Sequence, residues 1–65
     1  MMNASINLDT RLLRANEVAK ILNISRPLAY RLMQTGKIPT VHINSSVRVR
    51  LEDLEGFIQS NRTFA

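Results

Sequence analysis

The chain has 65 residues, 45% of them hydrophobic, and its nine Lys or Arg outnumber five Asp or Glu to give a formal charge of +4. That length allows one domain with a small core, stabilised by roughly 3 to 5 kcal/mol, and argues against a buried active-site cavity. The lack of cysteine excludes a disulfide framework and a thiolate metal site, and no apolar run approaches the ~18 to 20 residues of a membrane span, so a cytoplasmic chain without a cofactor is expected.

Met1 to Thr10 (MMNASINLDT) has little periodicity and several turn-forming polar residues, and it is too polar for a secretory signal. The expectation is a flexible tail over residues 1–11, a domain over 12–61 and a frayed end over 62–65. A minor-groove or oligomerising arm in this tail has only Arg11 nearby to support it. Leu12 and Leu13 are expected to dock on the core as a short extended lead-in.

Ala15 to Leu22 predicts the first helix, because Ala15, Val18, Ala19 and Leu22 recur at i, i+3, i+4 and i+7 and Ile21 widens the stripe. Glu17 stands at the far end of a capping box whose near end is Arg14 instead of Ser or Thr, which makes a weak cap. Asn23 tolerates the left-handed conformation of a sharp stop, and Ile24 can plug the turn. Ser25 is a natural N-cap, and Pro27 falls in the first turn of the next helix, where a missing N–H costs nothing. A helix, a three-residue turn and a second amphipathic helix make a helix-turn-helix.

The second helix is the centre of the functional reading. At roughly 100° per residue, Leu28, Ala29, Leu32 and Met33 fill one arc, while Arg26, Pro27, Tyr30, Arg31 and Gln34 fill the other. The outer arc holds two guanidinium groups, a phenol and a carboxamide with no acid among them, groups that contact phosphates and base edges in a major groove. A plain solvated face would carry the same residues. Charge segregation argues against it: from Val18 to Leu51 there are Lys20, Arg26, Arg31, Lys37, Arg48 and Arg50 and no acid, while Glu52, Asp53 and Glu55 sit together on one flank.

Thr35 and Gly36 end this helix and Pro39 prevents its continuation. Two strands follow, Thr40 to Ile43 and Val47 to Arg50, joined by Asn44, Ser45 and Ser46. The alternation of Val41, Ile43, Val47 and Val49 with His42, Arg48 and Arg50 predicts a wing with one apolar face on the helices and one cationic face outside. A last helix is expected from Leu51 to Asn61, with Leu51, Leu54, Phe57 and Ile58 inward and its first-turn acids favouring the helix dipole. These acids show no metal or catalytic pairing. The predicted fold is therefore mainly α with a small β-hairpin: helix, turn, recognition helix, two-stranded wing and C-terminal helix.

The ordered segments LLRANEVAKILNISRPLAYRLMQTGKIP, VHIN and VRVRLEDLEGFI, from Leu12 to Ile58, resemble the excisionase-type helix-turn-helix family, small winged-helix proteins related to the MerR-like DNA-binding fold. The resemblance implies a protein of a phage, plasmid or integrative element, acting as a recombination directionality factor or as a small transcriptional regulator. It implies that the second helix enters the major groove while the wing touches the neighbouring backbone or minor groove. Ser25, Arg26, Tyr30 and Arg31 match the family's groove-facing positions, and Arg48 matches its wing-strand arginine. Three positions depart from the pattern: the hairpin tip is Asn44-Ser45-Ser46 where glycine and arginines are common, Val47 replaces a large aromatic, and Arg14 replaces a helix cap.

Candidate DNA contacts are thus Ser25, Arg26, Pro27, Tyr30, Arg31, Gln34, Lys37 and Arg48, with Arg26 and Arg31 foremost and Lys37 a generic phosphate partner. His42, without a second His or any Cys, is read as solvated and not as a metal ligand. Double-stranded DNA is the expected partner, joined by a site-specific recombinase (integrase) and by cooperative self-association if the chain is a directionality factor that bends DNA. A basic adaptor for an acidic protein is the alternative from another class. RNA is less favoured because stacking aromatics on a sheet are lacking. An enzyme is least favoured: one His, no Cys, no Gly-rich phosphate loop and no facing acid pair.

Overall fold

The computed structural model describes residues 11–64; of the tail expected over residues 1–11, residues 1–10 lie outside them, as does Ala65. In chain order come β1 (Leu12–Leu13), α1 (Ala15–Leu22), α2 (Arg26–Gln34), β2 (Val41–Ile43), β3 (Ser46–Arg50) and α3 (Leu51–Ser60). This is the winged helix-turn-helix expected from the sequence.

In α1 the residues Ala15, Val18 and Ala19 are buried and Leu22 packs beside them. Ile21 does not widen the stripe; it is 49% exposed. It lies roughly 110° from the centre of the arc drawn by Ala15, Val18, Ala19 and Leu22, too far round to reach the core. The helix stops as predicted. Asn23 takes the left-handed conformation (φ 57, ψ 47), its N–H donates to the Lys20 carbonyl at 3.3 Å, and the Ile24 N–H donates to the Ala19 carbonyl at 3.0 Å. These are the paired bonds of a Schellman stop, and Ile24 packs against the core beside them.

Ser25 begins α2, its Oγ accepting from the Leu28 N–H at 3.2 Å, with Pro27 in the first turn. Ala29 and Met33 are buried, and Leu28 and Leu32 are half-buried on the same side. The Thr35 N–H and Oγ1–H both donate to the Arg31 carbonyl, at 2.9 and 2.7 Å, and Gly36 takes φ 78. A Cβ on Gly36 would meet nothing within 4 Å, so the positive φ is what requires glycine there. The reversal lets the Ile38 N–H reach the Leu32 carbonyl at 3.1 Å and buries Ile38 completely. Helical and strand periodicity cannot find such a residue, because it belongs to neither.

The sheet has three strands in the order β1-β3-β2, all antiparallel. The lead-in residues Leu12 and Leu13 are therefore a strand, paired with Arg50 and Val49. The hairpin differs from the expectation. Ile43 pairs with Ser46, so the turn is Asn44-Ser45 alone, and Asn44 supplies the positive φ (54) of its first position. Shortening the turn by one residue inverts the face parity of one strand relative to the other. Val41 pairs with Arg48 and His42 with Val47, so neither face is purely apolar or purely cationic. Val49 is buried, Val47 and Val41 are half-buried, and Ile43 is 52% exposed.

In α3, Leu54 is fully buried and Leu51 and Phe57 are half-buried, but Ile58 is 39% exposed. The centre of the core is Val18, Ile38, Val49 and Leu54, one residue each from α1, the loop after α2, β3 and α3. The two glycines sort the backbone demands. Gly56, inside α3 with open space around it, is expected to gain about 1 kcal/mol on Gly56→Ala. Gly36→Ala is expected to lose about 1 to 2 kcal/mol, because its left-handed φ disfavours a side chain. Urea melts of the two variants check this, and shifts of the same sign would contradict it.

Candidate nucleic-acid interface

The buried arc of α2 leaves Arg26, Pro27, Tyr30, Arg31 and Gln34 exposed on the other side, with Ser25 at its start. Tyr30, 45% exposed, is held beside Arg26, whose guanidinium carbon lies 5.7 Å from the ring centroid, within cation–π range. No acid stands in the first turn of α2.

Two clefts flank this face. The first, of about 380 Å³, lies between the start of α1 (Arg14 to Asn16), Arg26 and Tyr30 of α2, and Ser45 to Arg48 of the hairpin. Arg26, Tyr30 and Arg48, from distant parts of the sequence, come together here. Arg48 is half-buried, and its Nη1 donates to the Val47 carbonyl at 3.0 Å, which turns the guanidinium along the strand. The second cleft runs along the other flank of Tyr30 and includes Gln34, His42 and Val47. His42 Nε2 lies 3.3 Å from Thr40 Oγ1, and its pairing with Val47 puts it on the side of the hairpin that faces α2 instead of the outer side. Ser25, Pro27, Arg31 and Lys37 are exposed outside both clefts.

Sequence reasoning missed Arg14 and Asn16, which line the first cleft. Arg14 carried a signal in being a cation at a capping position, where it cannot accept a hydrogen bond. Asn16 carried none.

The acids near this surface are engaged elsewhere. Glu17 Oε1 accepts from the Arg14 N–H at 2.8 Å, one half of a capping box, and Oε2 pairs with Arg11 at 2.8 Å. Arg50 pairs with Glu52 at 2.5 Å. Among the described residues no other ion pair forms, so Arg14, Arg26, Arg31, Lys37 and Arg48 have no carboxylate partner there. No cluster of His, Asp or Glu among the described residues could hold a metal ion, and no helix among them is long and apolar enough to cross a membrane.

A helix-turn-helix with a hairpin beside it, and an acid-free cationic surface shared between them, defines a winged helix-turn-helix protein. The chain belongs to the helix-turn-helix domain family, which it matches over residues 12–62, and it is a small DNA-binding protein. It is also similar to proteins from two strains of Mycobacterium tuberculosis, each named as a provisional DNA-binding protein, with 31% identity over 52 residues covering 80% of this chain and 67% of theirs. No solved structure matches the chain.

The Arg14 backbone N–H is the largest influence on Glu17, and Arg11, Arg14 and Arg48 add to it, holding the carboxyl below its ordinary 4.5. The folded state therefore takes up this proton less readily than the unfolded chain. The stability that Glu17 contributes is fully present above the ordinary carboxylate value and is lost as pH falls through the lowered one. Thermal melts from neutral pH down to about pH 3 are expected to show a shallower acid loss for Glu17→Gln than for the wild type. Parallel pH profiles would contradict this.

Proposed function

We propose that the protein is a sequence-specific DNA-binding protein acting as an excisionase, a recombination directionality factor of a phage or integrative element. Residues 12–61 form the binding unit. The observation that carries the reading is the outward arc of α2, five exposed residues without an acid, continuous with the cationic cleft that reaches the hairpin.

In this reading α2 enters the major groove. Arg26 and Arg31 bind phosphates or take a guanine edge bidentately, and Gln34 reaches an adenine. Tyr30 and Ser25 bond phosphate oxygens at the groove wall, with Pro27 packing against the backbone. Arg48 holds the strand that passes the hairpin, and Lys37 adds a sequence-independent phosphate contact. The exposed Asn44-Ser45 tip carries no arginine, so the wing contributes less minor-groove contact than an arginine-tipped one. Several copies bind adjacent short sites, bend the DNA and favour excision by an integrase.

The experiment is a gel-shift titration on the attachment-site region of the mobile element that carries the gene. A ladder of cooperative complexes is expected, whereas a single complex on one symmetric site would favour a transcriptional regulator. Failure of competitor DNA to displace an acidic protein partner would favour an adaptor. On the cognate site, Arg31→Ala is expected to lose about 1 to 3 kcal/mol, while Lys37→Ala loses less, equally on random sequence, with a shallower salt slope. Equal losses from both variants on cognate and random duplex would mean that α2 does not read bases.

A further inference from the structure

The geometry points to a phosphate seat in the cleft where α1, α2 and the hairpin meet, in which Arg14, Arg26, Arg48 and the first amides of α1 hold one backbone phosphate of the bound duplex. The inference rests on the reading of α2 as the groove-binding helix and adds to it specific residues at the start of α1.

Three guanidinium groups line this cleft, and no carboxylate does. Like charges gathered without a counter-ion repel one another, and the nearest acid, Glu17, is committed to Arg11 and to the Arg14 N–H. Glu17 attracts Arg14 and Arg48 from a distance, but no carboxylate pairs directly with any of the three cations, so the space they line favours an external anion. The backbone makes the same demand. Arg14 occupies the capping position of α1, and no side-chain cap bond forms there. Ala15 and Asn16 therefore bring the open, positive end of the helix dipole to the cleft wall. An anion oxygen would complete the cap that a serine or threonine supplies in other helices.

The seat is also ordered in advance. Arg48 is held by the Val47 carbonyl at 3.0 Å and Arg26 by the Tyr30 ring at 5.7 Å, so two of the three cations need little reorganisation to meet a ligand. The Tyr30 and Ser45 hydroxyls stand in the same lining as donors for the remaining oxygens. Because Arg26 and Tyr30 belong both to the cleft and to the outward arc of α2, the anion that reaches it is the phosphodiester strand bordering the occupied groove. A free phosphate is the other source of the same chemistry, and the test separates the two.

The test uses Arg14→Gln and Asn16→Asp in the full chain, with Arg31→Ala as the groove control. Asn16→Asp is expected to melt no lower than the wild type, since an acid in the first turn favours the helix dipole, so its binding defect cannot come from unfolding. Each cleft variant is expected to weaken a random-sequence duplex by about 5- to 10-fold, and Arg14→Gln to make the slope of log K against log salt shallower by about one. Duplex binding unchanged in both variants while Arg31→Ala is impaired would reject the seat and leave the groove reading standing. If the wild type binds no duplex, the groove reading falls and a titration with inorganic phosphate decides. Shifts of the Ala15 and Asn16 amide resonances that Asn16→Asp abolishes would then keep an anion seat of another use, and still resonances would remove it.

Discussion

The structure turns on the stop at Asn23. A left-handed residue is disfavoured for any side chain, and here the strain is offset by the two hydrogen bonds that close α1 and by the packing of Ile24 against the core. Because α1 ends so abruptly, Ser25 can cap a new helix at once, and Ala29 and Met33 come to rest in the same apolar cluster as Val18 and Ala19. The small Ala29 side chain, fully buried, permits the close approach of the two helices. Once that face is used, the opposite arc of α2 has nowhere to go but outward.

The core that holds this arrangement is assembled from single contributions. Val18, Ile38, Val49 and Leu54 come from separate elements, so no pair of them could be stable alone. The hairpin depends on this most, because two strands without a third are marginal. β1 supplies the third strand, with Leu13 beside Val49, and thereby holds β3 next to the start of α1. Two residues before α1 thus help to define the cleft that α1, α2 and the hairpin enclose.

Electrostatics then divides the surface. Glu17 and Glu52 each take an arginine next to a helix start, Arg11 and Arg50, and leave the cations around α2 unneutralised. Glu17 acts as cap and counter-ion at once, which is how a basic Arg14 can stand at the head of a helix without leaving its own N–H unpaired. With arginine in place of a capping hydroxyl no side-chain cap bond forms there, and Ala15 and Asn16 line the cleft. A helix end that looks poorly designed for stability is therefore well suited to an anion.

The sequence by itself determined the helices, their stops and the outward arc of α2, because these depend on local rules: apolar spacing, Asn23 and Gly36 at positive φ, Ser25 as cap and Pro27 in a first turn. It misjudged residues whose burial depends on partners far along the chain. Ile58 fits its periodic stripe yet is 39% exposed, and Ile38 fits none yet is fully buried. The tertiary structure alone decided the hairpin parity, since a turn of Asn44-Ser45 instead of three residues sets which side chains share a face, and alternation within each strand is the same either way. It alone joined Arg14 and Asn16 to Arg26, Tyr30 and Arg48, because convergence in space is set by how elements pack and leaves no mark on the spacing of residues along the chain.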